Sequence, residues 1–87
     1  MSAEELKVMP FEQKVKLALN TNDKRLLERL AWTGNDYLKT IIARNIYTDP
    51  CTLERIAMST ENKVVMDAIL GNPLTFPSVR ESILKKV

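Results

Sequence analysis

Eighty-seven residues, 45% hydrophobic and 28% charged, fit one globular domain rather than a disordered chain, with an expected radius of gyration of about 12 Å. A formal net charge of only +2 points by composition to neither a nucleic-acid binder nor a membrane-surface protein. No apolar run approaches a spanning helix, Met1–Pro10 is unlike a signal peptide, and the lone Cys51 allows no internal disulfide, so a reducing cytoplasm is the expected compartment.

The pattern predicts six short helices. Pro10 fits a first helical turn, and Phe11, Val15, Ala18 and Leu19 then share one face. Asp23 is placed to cap a second helix whose apolar stripe is Leu26, Leu27, Leu30 and Ala31, with Gly34 ending it. Asn35 or Asp36 opens a third, with Tyr37, Leu38, Ile41 and Ile42 facing inward. Asp49 followed by Pro50 is a strong start signal, a capping carboxylate and then a residue fixed near helical φ. The fourth helix should bury Leu53, Ile56 and Ala57. Thr60 would cap a fifth running through Val64, Val65, Ala68 and Ile69 and stopping at Gly71, where a left-handed residue costs little. Pro77 opens the last, with Val79, Ile83 and Leu84 turned to the core. The fold class expected is all-α.

These elements are written in repeats. Leu27-Glu28-Arg29-Leu30-Ala31 returns as Leu53-Glu54-Arg55-Ile56-Ala57, and Asn20, Asn45 and Asn72 each follow an apolar run. Thr48-Asp49-Pro50 and Thr75-Phe76-Pro77 stand at one offset after their asparagines. A unit of about 26 residues, used three times, covers nearly the whole chain. Helices this short are marginal alone, and a two-helix unit cannot bury both of its faces, so successive units must stack and share a core. The expectation is one domain over 1–87, a small right-handed α-solenoid with repeats at about 10–34, 35–60 and 61–87.

Residues 43–57, Ala43-Arg44-Asn45-Ile46-Tyr47-Thr48-Asp49-Pro50-Cys51-Thr52-Leu53-Glu54-Arg55-Ile56-Ala57, resemble the leucine-rich-repeat variant motif. Gly71-Asn72-Pro73-Leu74-Thr75-Phe76-Pro77-Ser78-Val79 is similar to its loop. The resemblance covers residues 15–84 and implies alternating long and short helices, the short ones of 3₁₀ type, in a curved superhelix like armadillo and HEAT arrays. The first repeat departs from the pattern, since Lys24 stands where Pro50 stands later. Some members of that family hold an iron–sulfur centre on an N-terminal cysteine cluster. Nothing here matches those cysteines, so the resemblance implies no cofactor. It speaks to architecture and hardly to activity.

The chemistry on offer is sparse. Without histidine there is no Ser–His or Cys–His pair, and Cys51 alone cannot hold zinc. Asp23, Asp36, Asp49 and Asp67 are scattered singly, and Gly34 and Gly71 make no phosphate loop. No catalytic, cofactor or metal residue is assigned, and the chain is read as non-enzymatic. The partner-binding candidates are Lys24, Arg25, Arg29, Trp32 and Arg55, on a curved surface offered to a protein or peptide. The alternative is nucleic-acid binding through Lys24, Arg25, Arg29, Lys39 and Arg44. The sequence counts against it, because residues 21–45 carry a basic excess that 46–72 reverse, while phosphates need neutralising at successive steps. The bland readings are that the Arg–Glu neighbours form a solvated paired face and that the asparagines end helices in a left-handed turn or bond loop backbone. Trp32 and Met58 occupy one repeat position and suggest a shared packing slot. Met9, Met58 and Met66 read as core fillers, and Cys51 at a helix start as a thiol of lowered pKa or an inert small residue. Phe11, Val15 and Leu17 at one end and Ile83, Leu84 and Val87 at the other leave apolar ends, which suits self-association or a partner covering an end.

Overall fold

The computed structural model describes residues 3–33 and 35–86, so Gly34 and Val87, named above, lie outside the described residues. Seven helices occupy them: α1 Ala3–Val8, α2 Phe11–Asn20, α3 Lys24–Ala31, α4 Asp36–Arg44, α5 Pro50–Ser59, α6 Lys63–Leu70 and α7 Pro77–Lys86. No described residue is in a strand or a 3₁₀ helix, which corrects the expectation of alternating helix types. Every element is α-helical because each keeps an apolar stripe at the 3.6-residue spacing.

Capping residues set most starts. The Asp23 carboxylate accepts from the Arg25 and Leu26 N–H groups at 3.0 and 3.2 Å, and Asp49 accepts from Cys51 N–H at 2.8 Å. Asn35 accepts from Leu38 N–H at 3.1 Å. The cap of α6 is Asn62 rather than Thr60, with Val64 and Val65 donating to its side chain. Thr60 is buried one step earlier and accepts from Asn62 N–H, which fixes the turn that presents the cap. Pro10 caps α2 from outside, whereas Pro50 and Pro77 are first helical residues. Gly71 has φ −77° and ψ −11°, and no described residue has positive φ, so neither Gly71 nor the asparagines end helices left-handed. The chain stays right-handed there because Gly71 N–H bonds back to Asp67 and Asn72 N–H to Ile69.

Helices α2, α4 and α6 lie side by side with α4 between the other two, while α1 packs on α3 and α7 on α5. The molecule measures 37 × 21 × 17 Å with a radius of gyration of 12.2 Å, close to expectation. Leu6, Leu27, Leu30, Leu38, Ile42, Leu53, Ile56, Val65, Ile69 and Ile83 are fully buried and form one continuous core. Each contributes roughly 1.5–3 kcal/mol by leaving water. The first helix, α1, was not among the expected elements; it packs on α3, and its Leu6 is fully buried.

Several expected core positions face out. Phe11, Leu19, Tyr37, Val64 and Leu84 are exposed. Phe11 and Tyr37 meet at the surface with their rings tilted at 53° and centroids 5.9 Å apart. Ala18, Leu38, Ile42, Val65, Ala68 and Ile69 are buried as expected, while Lys14 on α2, Thr40 on α4 and Met66 on α6 take further buried places. Lys14 is buried along its stem and donates from Nζ to the Thr33 carbonyl at 3.1 Å, beyond the last residue of α3. A cation there suits the negative end of a helix.

Side-chain amides hold the helix ends together. Asn45 Nδ2 donates to the Ala18 and Thr21 carbonyls at 2.9 and 3.0 Å, across 27 and 24 residues. Asn72 Nδ2 does the same one step along, to Ala43 and Asn45 at 2.8 and 3.1 Å. In each loop the Asn oxygen accepts the N–H two residues on, from Tyr47 and from Leu74. Thr48 and Thr75 hydroxyls donate to Ile42 and Ile69 carbonyls, both at 2.6 Å and both buried. Arg80 then occupies the place a further asparagine would take: Nη1 and Nη2 donate to Leu70 and Asn72 carbonyls, each at 2.7 Å.

Candidate functional site

Four of the five partner-binding candidates sit on α3 or its C-cap, and the fifth on α5. Lys24 and Arg25 are the first two residues of α3, Arg29 lies in its last turn and Trp32 is its C-cap. All five side chains are exposed. Arg25 and Arg29 stand four apart on one helix face and line two shallow clefts. One, of about 320 Å³, is shared with Asp23 and Leu26; the other, of about 310 Å³, with Glu28 and Trp32.

Arg55 comes to this face from α5. Its guanidinium lies over the Trp32 ring, 5.2 Å from the centroid, and Nη1 reaches Glu28 Oε1 at 3.1 Å. The ion pair has 60% and 45% of its side chains in solvent, so water and salt screen it and it adds little stability. A cation over an exposed indole is worth about 0.5–1 kcal/mol. The two contacts together orient Arg55 and flatten it against α3.

Trp32 and Met58 do not share a packing slot: Trp32 is 43% exposed and Met58 78%. Met66 is buried as expected and Met9 partly so. Lys24 lines neither cleft. Lys39 and Arg44 belong to α4 and line neither cleft, so the basic residues of 24–44 do not converge on one opening. The recurring asparagines are structural, since their amides are spent on backbone.

Cys51 is exposed, and its thiol is pushed up rather than down. Desolvation by surrounding protein atoms is the first cause, followed by the Asp49 carboxylate, then Glu54 and Glu28. The helix start does not activate it, because desolvation and then the Asp49 carboxylate both work against the thiolate.

Two residues that matter were not singled out by sequence. Arg80 stands three residues after Pro77, where Leu53 stands three after Pro50, so an arginine at a leucine position was the available signal. Glu28 was not read as a link between helices, yet it joins α3 to α5. Among the described residues no helix is long and apolar enough to cross a membrane. No protein-family model, curated protein or solved structure matches this chain.

Proposed function

We propose that the chain is a non-catalytic protein-interaction module: a small right-handed α-solenoid of three two-helix units, of leucine-rich-repeat variant type, acting in a reducing cytoplasm. The architecture is supported by amide and hydroxyl bonds that recur at equivalent helix ends, and by the adjacency of α2, α4 and α6. The observation that carries the function is the α3–α5 face. There a half-exposed Trp32 is bracketed by Arg25, Arg29 and Arg55 above an open cleft. Aromatic and arginine side chains are the residue types that anchor protein interfaces, because they give large contact area with directed polar ends.

Affinity capture from the cells that produce the protein tests the reading. The expected result is a protein retained by the native chain after nuclease treatment and lost on Trp32→Ala with Arg55→Ala. Retention equal to that of a scrambled control, or release of the retained material by nuclease, would overturn it.

A further inference from the structure

The turns that follow α4 and α6 are built alike and lie against each other. In each, the asparagine oxygen accepts the N–H two residues on, from Tyr47 at 2.8 Å and from Leu74 at 2.9 Å. The Thr48 or Thr75 hydroxyl donates to the carbonyl six residues back, in a buried bond of 2.6 Å. Asn72 Nδ2 donates to the Asn45 carbonyl at 3.1 Å and Asn45 Nδ2 to the Thr21 carbonyl at 3.0 Å, so three helix-ending turns form one row. Along it Leu19, Ile46, Tyr47, Leu74 and Phe76 are all exposed, from 38% for Phe76 to 62% for Leu19. These exposures leave roughly 450 Å² of apolar surface, within the range of about 300–600 Å² of the largest, often functional, patch on a monomer.

Charge is missing where the row is most apolar. Residues 45–48 and 68–79 contain no acidic or basic side chain. Arg44 and Asp49 flank the second turn with opposite signs, as Asp67 and Arg80 flank the third. Asp49 also caps α5, and Arg80 is bonded to the Leu70 and Asn72 carbonyls. The first turn is mixed, with Lys16, Asp23, Lys24 and Arg25 around it, and it bounds the neutral stretch on one side. We infer that this row binds a second copy of the chain, through a two-fold contact centred on Tyr47 and Leu74. A neutral centre whose flanking charges alternate in sign meets its own copy without like-charge repulsion. Nucleic acid or an anionic membrane needs one sign across the contact instead. A standard interface buries about 800 Å² per partner, a little over half of it apolar, and the row supplies about that apolar share. Buried hydroxyl and amide bonds already order both turns, so little freedom is lost on contact. Trp32 stands at the other end of α3 from this row.

Sedimentation velocity on the full chain, over micromolar to millimolar concentrations, tests the inference. The expected result is reversible growth from 9.9 kDa to twice that mass, not weakened by added salt. Tyr47→Ser with Leu74→Ser should raise the dissociation constant at least about tenfold, since a two-fold interface loses each contact twice. Ile46→Lys is the second variant, on an exposed side chain, and circular dichroism checks that both stay helical. Trp32→Ala with Arg55→Ala should associate as the native chain does. A monomer at every concentration, association that the Tyr47 and Leu74 variant leaves intact, or association dissolved by salt would overturn the inference. So would a monomeric chain that floats with phosphatidylcholine vesicles, or one that captures a different protein through Tyr47 and Leu74, since either gives the row another occupant. Each of these outcomes leaves the reading of the α3–α5 face standing, because capture there depends on Trp32 and Arg55.

Discussion

The asparagine bonds make a sharp prediction, because the same residue type stands near the ends of three helices in different circumstances. Asn72 is 3% exposed and makes three hydrogen bonds: two from its amide to Ala43 and Asn45 carbonyls and one accepted from Leu74 N–H. Asn20 is exposed, and its amide donates to Lys16 within its own helix. Asn72→Ala removes three bonds worth about 1 kcal/mol each and leaves buried carbonyls without a donor, so a loss of about 3–4 kcal/mol is expected. Asn20→Ala should cost less than about 0.5 kcal/mol, since water replaces its bond. For a domain of this size the first change lowers the melting temperature by more than about 12 °C and the second by no more than a few degrees. Thermal and urea unfolding followed by circular dichroism measure both. Equal losses for the two variants, or a loss under about 1 kcal/mol for Asn72→Ala, would refute the claim that these amides hold neighbouring helix ends together.

Two further outcomes follow from buried polar contacts. Arg80→Ala frees the Leu70 and Asn72 carbonyls, and because Arg80 is only partly buried the expected loss is about 2 kcal/mol, read as a lower urea midpoint; Arg80→Lys should recover little, since one ammonium cannot span both acceptors. Lys14→Met keeps the stem and should change stability by less than about 1.5 kcal/mol, while Lys14→Glu sets a carboxylate against the Thr33 carbonyl and should cost on the order of 3 kcal/mol in the same assay.

The helices were legible because their signals are local. Asp23, Asp49 and Pro50 announce starts by chemistry that acts over three or four residues, and the stripes Leu27–Leu30 and Leu53–Ile56 face inward as their spacing requires. What the sequence concealed is which side of an ambiguous helix meets a neighbour. Tyr37 and Leu38 are both apolar, and packing against α2 and α6 turns α4 so that Leu38 is buried and Tyr37 is 61% exposed. The same rotation exposes Val64 and buries Met66. Lys14 was passed over because a charge on a stripe reads as its edge, although Met66 stands at the matching place before Asn72 and is buried. Of the candidate site, the five residues were nameable, but the contact of Arg55 with Trp32 and Glu28 joins positions on two helices and needed the fold.

On the interaction reading proposed above, the face beside α3 is a local seat and not a track. Arg55 meets Glu28 across 27 positions, close to the spacing of about 26 at which the sequence repeats. At that spacing the sequence can be set out in columns. Arg25 is followed by Cys51 and Ser78, Arg29 by Arg55 and Ser82, and Trp32 by Met58 and Lys85. The glutamates at 28, 54 and 81 are constant, while the arginines and the indole gather in the first two members of their columns. A ligand that needs the same group at every step would find it only at the beginning, whereas a short segment with one charged and one apolar element finds both beside α3. On the interaction reading proposed above, the uneven filling of these columns would limit the length of partner this face holds.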